Sequence, residues 1–164
     1  MILKKICTAV CLFVIVSGFA GQVHAETWFP NGAVAMASID GLEVSKGALG
    51  LTCNLMGAVD LDGENASVGA LEVSGGPFNL CGVSAQFENL PYNMEGNADG
   101  TVTIQNIYVD GATGDCAGDL TGTFDQSTGI LTFDNAALPG VPSGASCVLS
   151  GQVSTNPQAS YTNP

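Results

Sequence analysis

Residues 51–63 read Leu-Thr-Cys-Asn-Leu-Met-Gly-Ala-Val-Asp-Leu-Asp-Gly, and their alternation indicates the kind of fold. Apolar or small residues at the odd positions up to Val59 alternate with Thr, Asn, Met, Ala and Asp. Because successive side chains of a β-strand point to opposite faces, this pattern predicts a half-buried strand. The pair Asp62-Gly63 then predicts a tight turn, after which Val68 and Val73 belong to a returning strand.

The same pattern recurs along the chain. Further predicted strands are residues 92–96 with 102–107, residues 120–125 with 130–135, and residues 146–153. Short strands separated by turn residues, without a sustained helical period, predict an all-β fold. We expect a single antiparallel β-sandwich or barrel-like domain over residues 26–153. The polar composition that follows Val153 predicts a flexible polar tail over residues 154–164.

The first 25 residues have the pattern of a signal peptide. Lys4 and Lys5 precede an apolar run over residues 6–16, and Val23-His24-Ala25 offers small residues at a cleavage site. The run is shorter than the roughly 20 apolar residues of a membrane-spanning helix. We therefore expect cleavage before Glu26 and a secreted protein without a membrane span, either extracellular, periplasmic or associated with the cell surface.

Removing the leader leaves a strongly acidic chain. Residues 26–164 contain one lysine, Lys46, no arginine and no histidine, against fifteen Asp and Glu, which gives a formal charge of −14. Nucleic acids and anionic surfaces require a basic face, so they are not expected as partners. Without histidine, the serine and threonine hydroxyls lack their usual general base. The sequence therefore predicts a protein that is not an enzyme and that has no cofactor.

Four cysteines follow the leader, namely Cys53, Cys81, Cys116 and Cys147. An even number of cysteines in an exported chain predicts two disulfides. Three pairings are open, and short closed loops favour Cys53–Cys81 with Cys116–Cys147. Zinc is not expected, because close Cys-x-x-Cys pairs and added histidines are both missing.

Two further groups of residues are candidate sites. The acidic run Asp60–Asn65 carries calcium-type ligands, but its glycine and glutamate do not match the EF-hand spacing, so we expect a polar hairpin tip without metal. Trp28, Phe29 and Tyr92 are candidates for an apolar contact surface, because they lie near prolines in predicted loops. The alternative for these aromatics is an ordinary place in the core.

Several short motifs with the four cysteines among them resemble the PraB family of secreted activators of alkane oxidation. The motifs are Val44-Ser45-Lys46-Gly47, Leu51-Thr52-Cys53, Leu80-Cys81, Asn89-Leu90-Pro91-Tyr92, residues 102–107, Asp115-Cys116, residues 133–140 and residues 146–151. The likeness covers most of residues 40–153 and brings no catalytic residues with it. It implies an accessory protein that helps cells to use hydrophobic substrates.

Two classes of function follow from these observations. One is a secreted, non-enzymatic accessory protein that promotes alkane oxidation by interacting with hydrophobic substrate or with cell-surface components. The other is a structural protein of the extracellular matrix, a biofilm or a surface fibre, which self-assembles through strand edges.

Overall fold

A computed structural model describes residues 26–162, and these residues are predominantly β. The twelve strands are Thr27–Phe29 (β1), Gly32–Lys46 (β2), Leu49–Asp62 (β3), Asn65–Ser74 (β4), Ala85–Glu88 (β5), Tyr92–Gly96 (β6), Thr101–Gly111 (β7), Asp115–Asp125 (β8), Ile130–Leu138 (β9), Gly140–Val141 (β10), Cys147–Asn156 (β11) and Ser160–Thr162 (β12). A 3-10 turn over Pro77–Asn79 leads into one short helix, Leu80–Ser84 (α1). The predicted signal peptide, residues 1–25, lies outside the described residues.

Eight of these strands form a closed antiparallel barrel. Their order is β8-β9-β11-β2-β3-β4-β6-β7, and β7 pairs back onto β8. The predicted antiparallel β fold is confirmed, in its barrel form. In β3, Cys53, Leu55 and Val59 are buried inside the barrel while Thr52 and Asn54 are exposed, as the alternation predicts.

The three predicted hairpins are present. Asp62 pairs with Asn65 across the β3–β4 turn, where Gly63 adopts a positive φ of 56° that a side chain disfavours. Met94 faces Ile104 in the β6–β7 pair, and residues 123–125 of β8 face residues 130–132 of β9.

One end of the barrel, which we call the disulfide end, carries both cystines. Cys53–Cys81 ties β3 to α1, and Cys116–Cys147 ties β8 to β11. The predicted pairing is therefore confirmed. Bridges that close loops of this size each stabilise the fold by about 3–4 kcal/mol in the chain-entropy account.

The opposite end, the plug end, is covered by β1 and β12. These strands pair antiparallel, with Trp28 opposite Tyr161. The Trp28 ring lies 4.9 Å from the Tyr161 ring and 6.3 Å from the Phe124 ring. The Tyr161 ring also packs on Gly96, where an added Cβ would come within 2.6 Å of it.

Glu26 links β1 and β12, which together we call the plug, to the barrel. Its carboxylate accepts hydrogen bonds from the Trp28 indole nitrogen (2.9 Å) and from the Gly96 backbone N–H. Partial burial raises the pKa of the Glu26 carboxyl, although both donors act in the opposite direction.

The predicted flexible tail is wrong for residues 154–162. Residues 154–156 continue β11, and residues 160–162 form β12. Ala159 and Tyr161 are almost fully buried, and the Tyr161 hydroxyl donates to the carbonyl oxygens of Asn97 (2.9 Å) and Thr101 (3.0 Å). Strand pairing and the buried side chains of Ala159 and Tyr161 hold this mostly polar segment against the barrel.

Candidate functional site

An apolar cavity lies inside the barrel towards the disulfide end. Its volume is about 140 Å³, and its wall is built almost entirely from inward-facing aliphatic and aromatic side chains. Representative lining residues are Leu42, Leu55, Phe87, Ile107, Val109 and Leu138. Eight-stranded barrels have an interior that side chains just fill or that holds one small ligand. The unfilled volume makes this barrel suited to the second role.

The cavity reaches the surface at the disulfide end, through an opening that we call the mouth. Exposed residues among its lining include Leu49, which follows the β2–β3 turn, and Thr113 and Gly114 in the β7–β8 turn. Cys81 and Ala85, at α1 and the start of β5, line the cavity on the side of the β4–β5 connection. The plug end is covered, so the mouth is the direct route for a ligand.

Lys46 stands at this mouth. Its half-buried side chain lines the cavity, and its Nζ donates to the Asp115 backbone oxygen (2.8 Å) and to the Cys116 sulfur (3.1 Å). Neither acceptor is a carboxylate. An ammonium group can donate three hydrogen bonds, and the described residues account for two.

The Asp115 carboxylate is occupied elsewhere in the same turn. It accepts hydrogen bonds from the Tyr108 hydroxyl (2.7 Å) and the Gly111 backbone N–H (3.3 Å). The Tyr108 bond, followed by the Gly111 bond, lowers the pKa of Asp115, and the same contact raises the pKa of Tyr108. These bonds fix the β7–β8 turn that forms one side of the mouth.

The comparison with known families identifies the chain. Residues 1–163 match the family model described as alkane oxidation protein activator PraA/PraB-like. The chain belongs to this family. The resemblance drawn from the motifs is thereby confirmed, and it extends over the whole chain. Comparisons with curated proteins and with solved structures gave no match.

Two of the three aromatics predicted as surface contacts lie in the core of this PraA/PraB-like barrel. Trp28 has no exposed surface, and Tyr92 is 2% exposed. The Tyr92 hydroxyl shares its proton between the backbone oxygens of Glu88 and Tyr108, so its polar atom is satisfied inside the protein. The surface prediction is wrong for both residues, because each ring packs in the hydrophobic core.

Phe29 is 47% exposed, but it lies on the plug and not beside the mouth. The structure therefore does not bring Trp28, Phe29 and Tyr92 together as one contact surface. The most exposed large apolar side chains are instead Phe78 (98%) and Val83 (67%). Both belong to the segment that carries Cys81 to the cavity wall.

The remaining candidate from the sequence is the acidic run Asp60–Asn65. Asp60–Asn65 forms the end of β3, the hairpin tip and the start of β4, as predicted. Across residues 26–162, no three His, Cys, Asp or Glu side chains are grouped as metal ligands would be. Within the same range, no helix has the length and apolar character needed to cross a membrane.

Sequence reasoning missed the cavity and the place of Lys46. Period-two alternation marks which side chains face inward, but it does not tell whether those side chains fill the space that they enclose. The motif Val44-Ser45-Lys46-Gly47 contained the only signal, since it places the single described lysine at a turn after an apolar strand.

Proposed function

We propose that this PraA/PraB-like protein is an exported, non-enzymatic accessory protein that promotes alkane oxidation by binding hydrophobic substrate. The apolar cavity, open at one end of the barrel, is the observation that carries this proposal. Small-ligand sites are concave and mostly apolar, with few polar groups at defined places, and this cavity has that character.

The size of the cavity determines what it would hold. A cavity of about 150 Å³ accommodates benzene, so about 140 Å³ corresponds to roughly six carbon atoms. Burying six methylene groups would contribute about 5 kcal/mol at about 0.8 kcal/mol each. This energy corresponds to a dissociation constant of about 0.2 mM, which is a lower bound because the entropic costs of binding raise it. The barrel would therefore take the end of a long alkane weakly and release it readily.

The surface around the mouth supports contact with an oil phase. Phe78 and Val83 expose apolar side chains on the segment next to the cavity wall, and Leu49 is 37% exposed at the mouth itself. Exposed apolar groups of this kind mark interaction sites, while the many carboxylates keep the rest of the surface in water. This arrangement would present the cavity to hydrocarbon.

Assembly into a fibre through strand edges receives less support. Pairing of β7 with β8 closes the barrel and removes the long edges that self-assembly would use. The strands outside the barrel, β1, β5, β10 and β12, have four residues or fewer each. We therefore favour the substrate-binding role.

A cavity-filling variant tests the proposal. Ala85 lines the cavity and lies two residues before Phe87, so both side chains face inward from β5. Ala85→Phe would add a phenyl ring about as large as the cavity. Ala35→Phe, on the exposed face of β2, is the matched control.

The first assay measures how much radiolabelled hexadecane the purified mature protein takes into aqueous solution. The second measures the growth of a deletion strain that carries each variant. We expect Ala85→Phe to abolish uptake and to slow growth on hexadecane, but not on succinate, while Ala35→Phe behaves as wild type. Folded Ala85→Phe with unchanged uptake and growth would contradict the proposal.

A further inference from the structure

We propose that the cavity prefers alkyl chains ending in a carboxylate, with that carboxylate bound by Lys46 at the mouth. The inference rests on the proposed hydrocarbon site and deepens it, because it names the ligand that the site selects. A plain alkane would need only the apolar wall, whereas the mouth holds a fixed cation.

Lys46 is held in a defined position. The bonds to Asp115 (2.8 Å) and Cys116 (3.1 Å) fix its Nζ, and its Cε and Nζ lie 3.7 Å from the position that a Cβ on Gly114 would occupy. The aliphatic stem thus follows the apolar wall while the ammonium group stands at the rim, as is usual for amphipathic side chains. A group in this position is preorganised for a ligand.

Among the described residues, no carboxylate accepts a hydrogen bond from the ammonium group, although its charge helps to lower the pKa of the nearby Asp115. The two acceptors of the ammonium group are a backbone carbonyl and a disulfide sulfur, both uncharged, although the mature chain carries fifteen carboxyl groups. Asp115 accepts the Lys46 bond with its backbone oxygen, while its carboxylate accepts hydrogen bonds from Tyr108 and Gly111. The third N–H of the ammonium is therefore available to an incoming oxygen.

The chemistry of the cavity and of Lys46 together defines the ligand. An alkyl segment of about six carbons fits the cavity, and its polar end would then emerge where Lys46 stands. A carboxylate makes a charge-assisted hydrogen bond with ammonium, which is stronger than the bond of a neutral ester or alcohol. Terminal carboxylates are the products of complete oxidation of an alkane's end methyl group. The proposed ligand thus belongs to the product class of that oxidation.

Octanoate and methyl octanoate test this preference, because they share the chain and differ in charge. Chemical-shift titration of ¹⁵N-labelled, oxidised mature protein should show octanoate binding about tenfold more tightly than the methyl ester. Lys46→Met should weaken octanoate binding by about tenfold and leave methyl octanoate within about twofold, while Lys46→Arg retains the preference. Raising the salt concentration should weaken only octanoate binding, because ions screen an exposed charge pair.

Ala85→Phe should abolish binding of both ligands, which distinguishes a chain inside the barrel from an ion pair on the surface. Equal affinity of wild type for octanoate and its methyl ester would overturn the carboxylate preference and leave the hydrocarbon site in place. Octanoate binding that survives in folded Ala85→Phe would also overturn the inference. Absence of binding by either ligand to wild type would overturn this inference and the proposed function together.

Discussion

Replacing Trp28 with alanine should cost most of the stability that the plug provides. Trp28 is fully buried, contacts the rings of Tyr161 and Phe124, and donates its indole N–H to Glu26. Truncating a buried tryptophan to alanine costs about 3–5 kcal/mol. Losing two aromatic contacts and one of the two hydrogen-bond donors to Glu26 places the expected value near 4 kcal/mol.

For a domain of this size, 1 kcal/mol corresponds to about 3–4 °C in melting temperature, so Trp28→Ala should lower it by about 12–16 °C. Calorimetry or circular dichroism on oxidised protein measures the change. Phe29→Ala is the matched control. Phe29 follows Trp28 in β1 and is 47% exposed, so its truncation should lower the melting temperature by less than about 4 °C. Melting of Trp28→Ala within about 3 °C of wild type would refute the account of the plug.

Three further predictions concern other parts of the molecule. The exported protein should have the intact mass of residues 26–164 less four thiol hydrogens, and retention of the leader would contradict the predicted cleavage. Tyr92→Phe should lower stability by about 1–2 kcal/mol in chemical denaturation, because two backbone carbonyls lose their donor, and an unchanged midpoint would contradict this. Since the folded pKa of Asp115 lies below its unfolded value, its contribution is present at neutral pH and is lost as pH falls through the folded pKa. The melting difference between wild type and Asp115→Asn should therefore shrink as the pH falls below about 4, and a difference that grows would refute the assignment.

Some features of the proposed site could be predicted from local sequence patterns, whereas others depend on contacts between distant parts of the chain. The apolar face that lines the cavity follows from alternation, as in β3, where the buried positions were predictable. The unfilled space between those faces depends on how eight strands tilt and close, which no single strand encodes. The partners of Lys46 lie 69 and 70 residues further along the chain, so its fixed place at the mouth was not predictable.

The sequence by itself determined the β class, the main hairpins, the presence of two disulfides and the family, but it left the disulfide pairing open. Each of these depends on short-range patterns, such as residue alternation, turn residues and cysteine spacing. The tertiary structure alone decided between sandwich and barrel, because the β7–β8 pairing closes the sheet on itself. It also decided that Trp28 is core and not surface, since Tyr161, at the far end of the described chain, returns to cover it. Burial depends on which distant segments pack together, and the residues next to Trp28 in the sequence do not determine that packing.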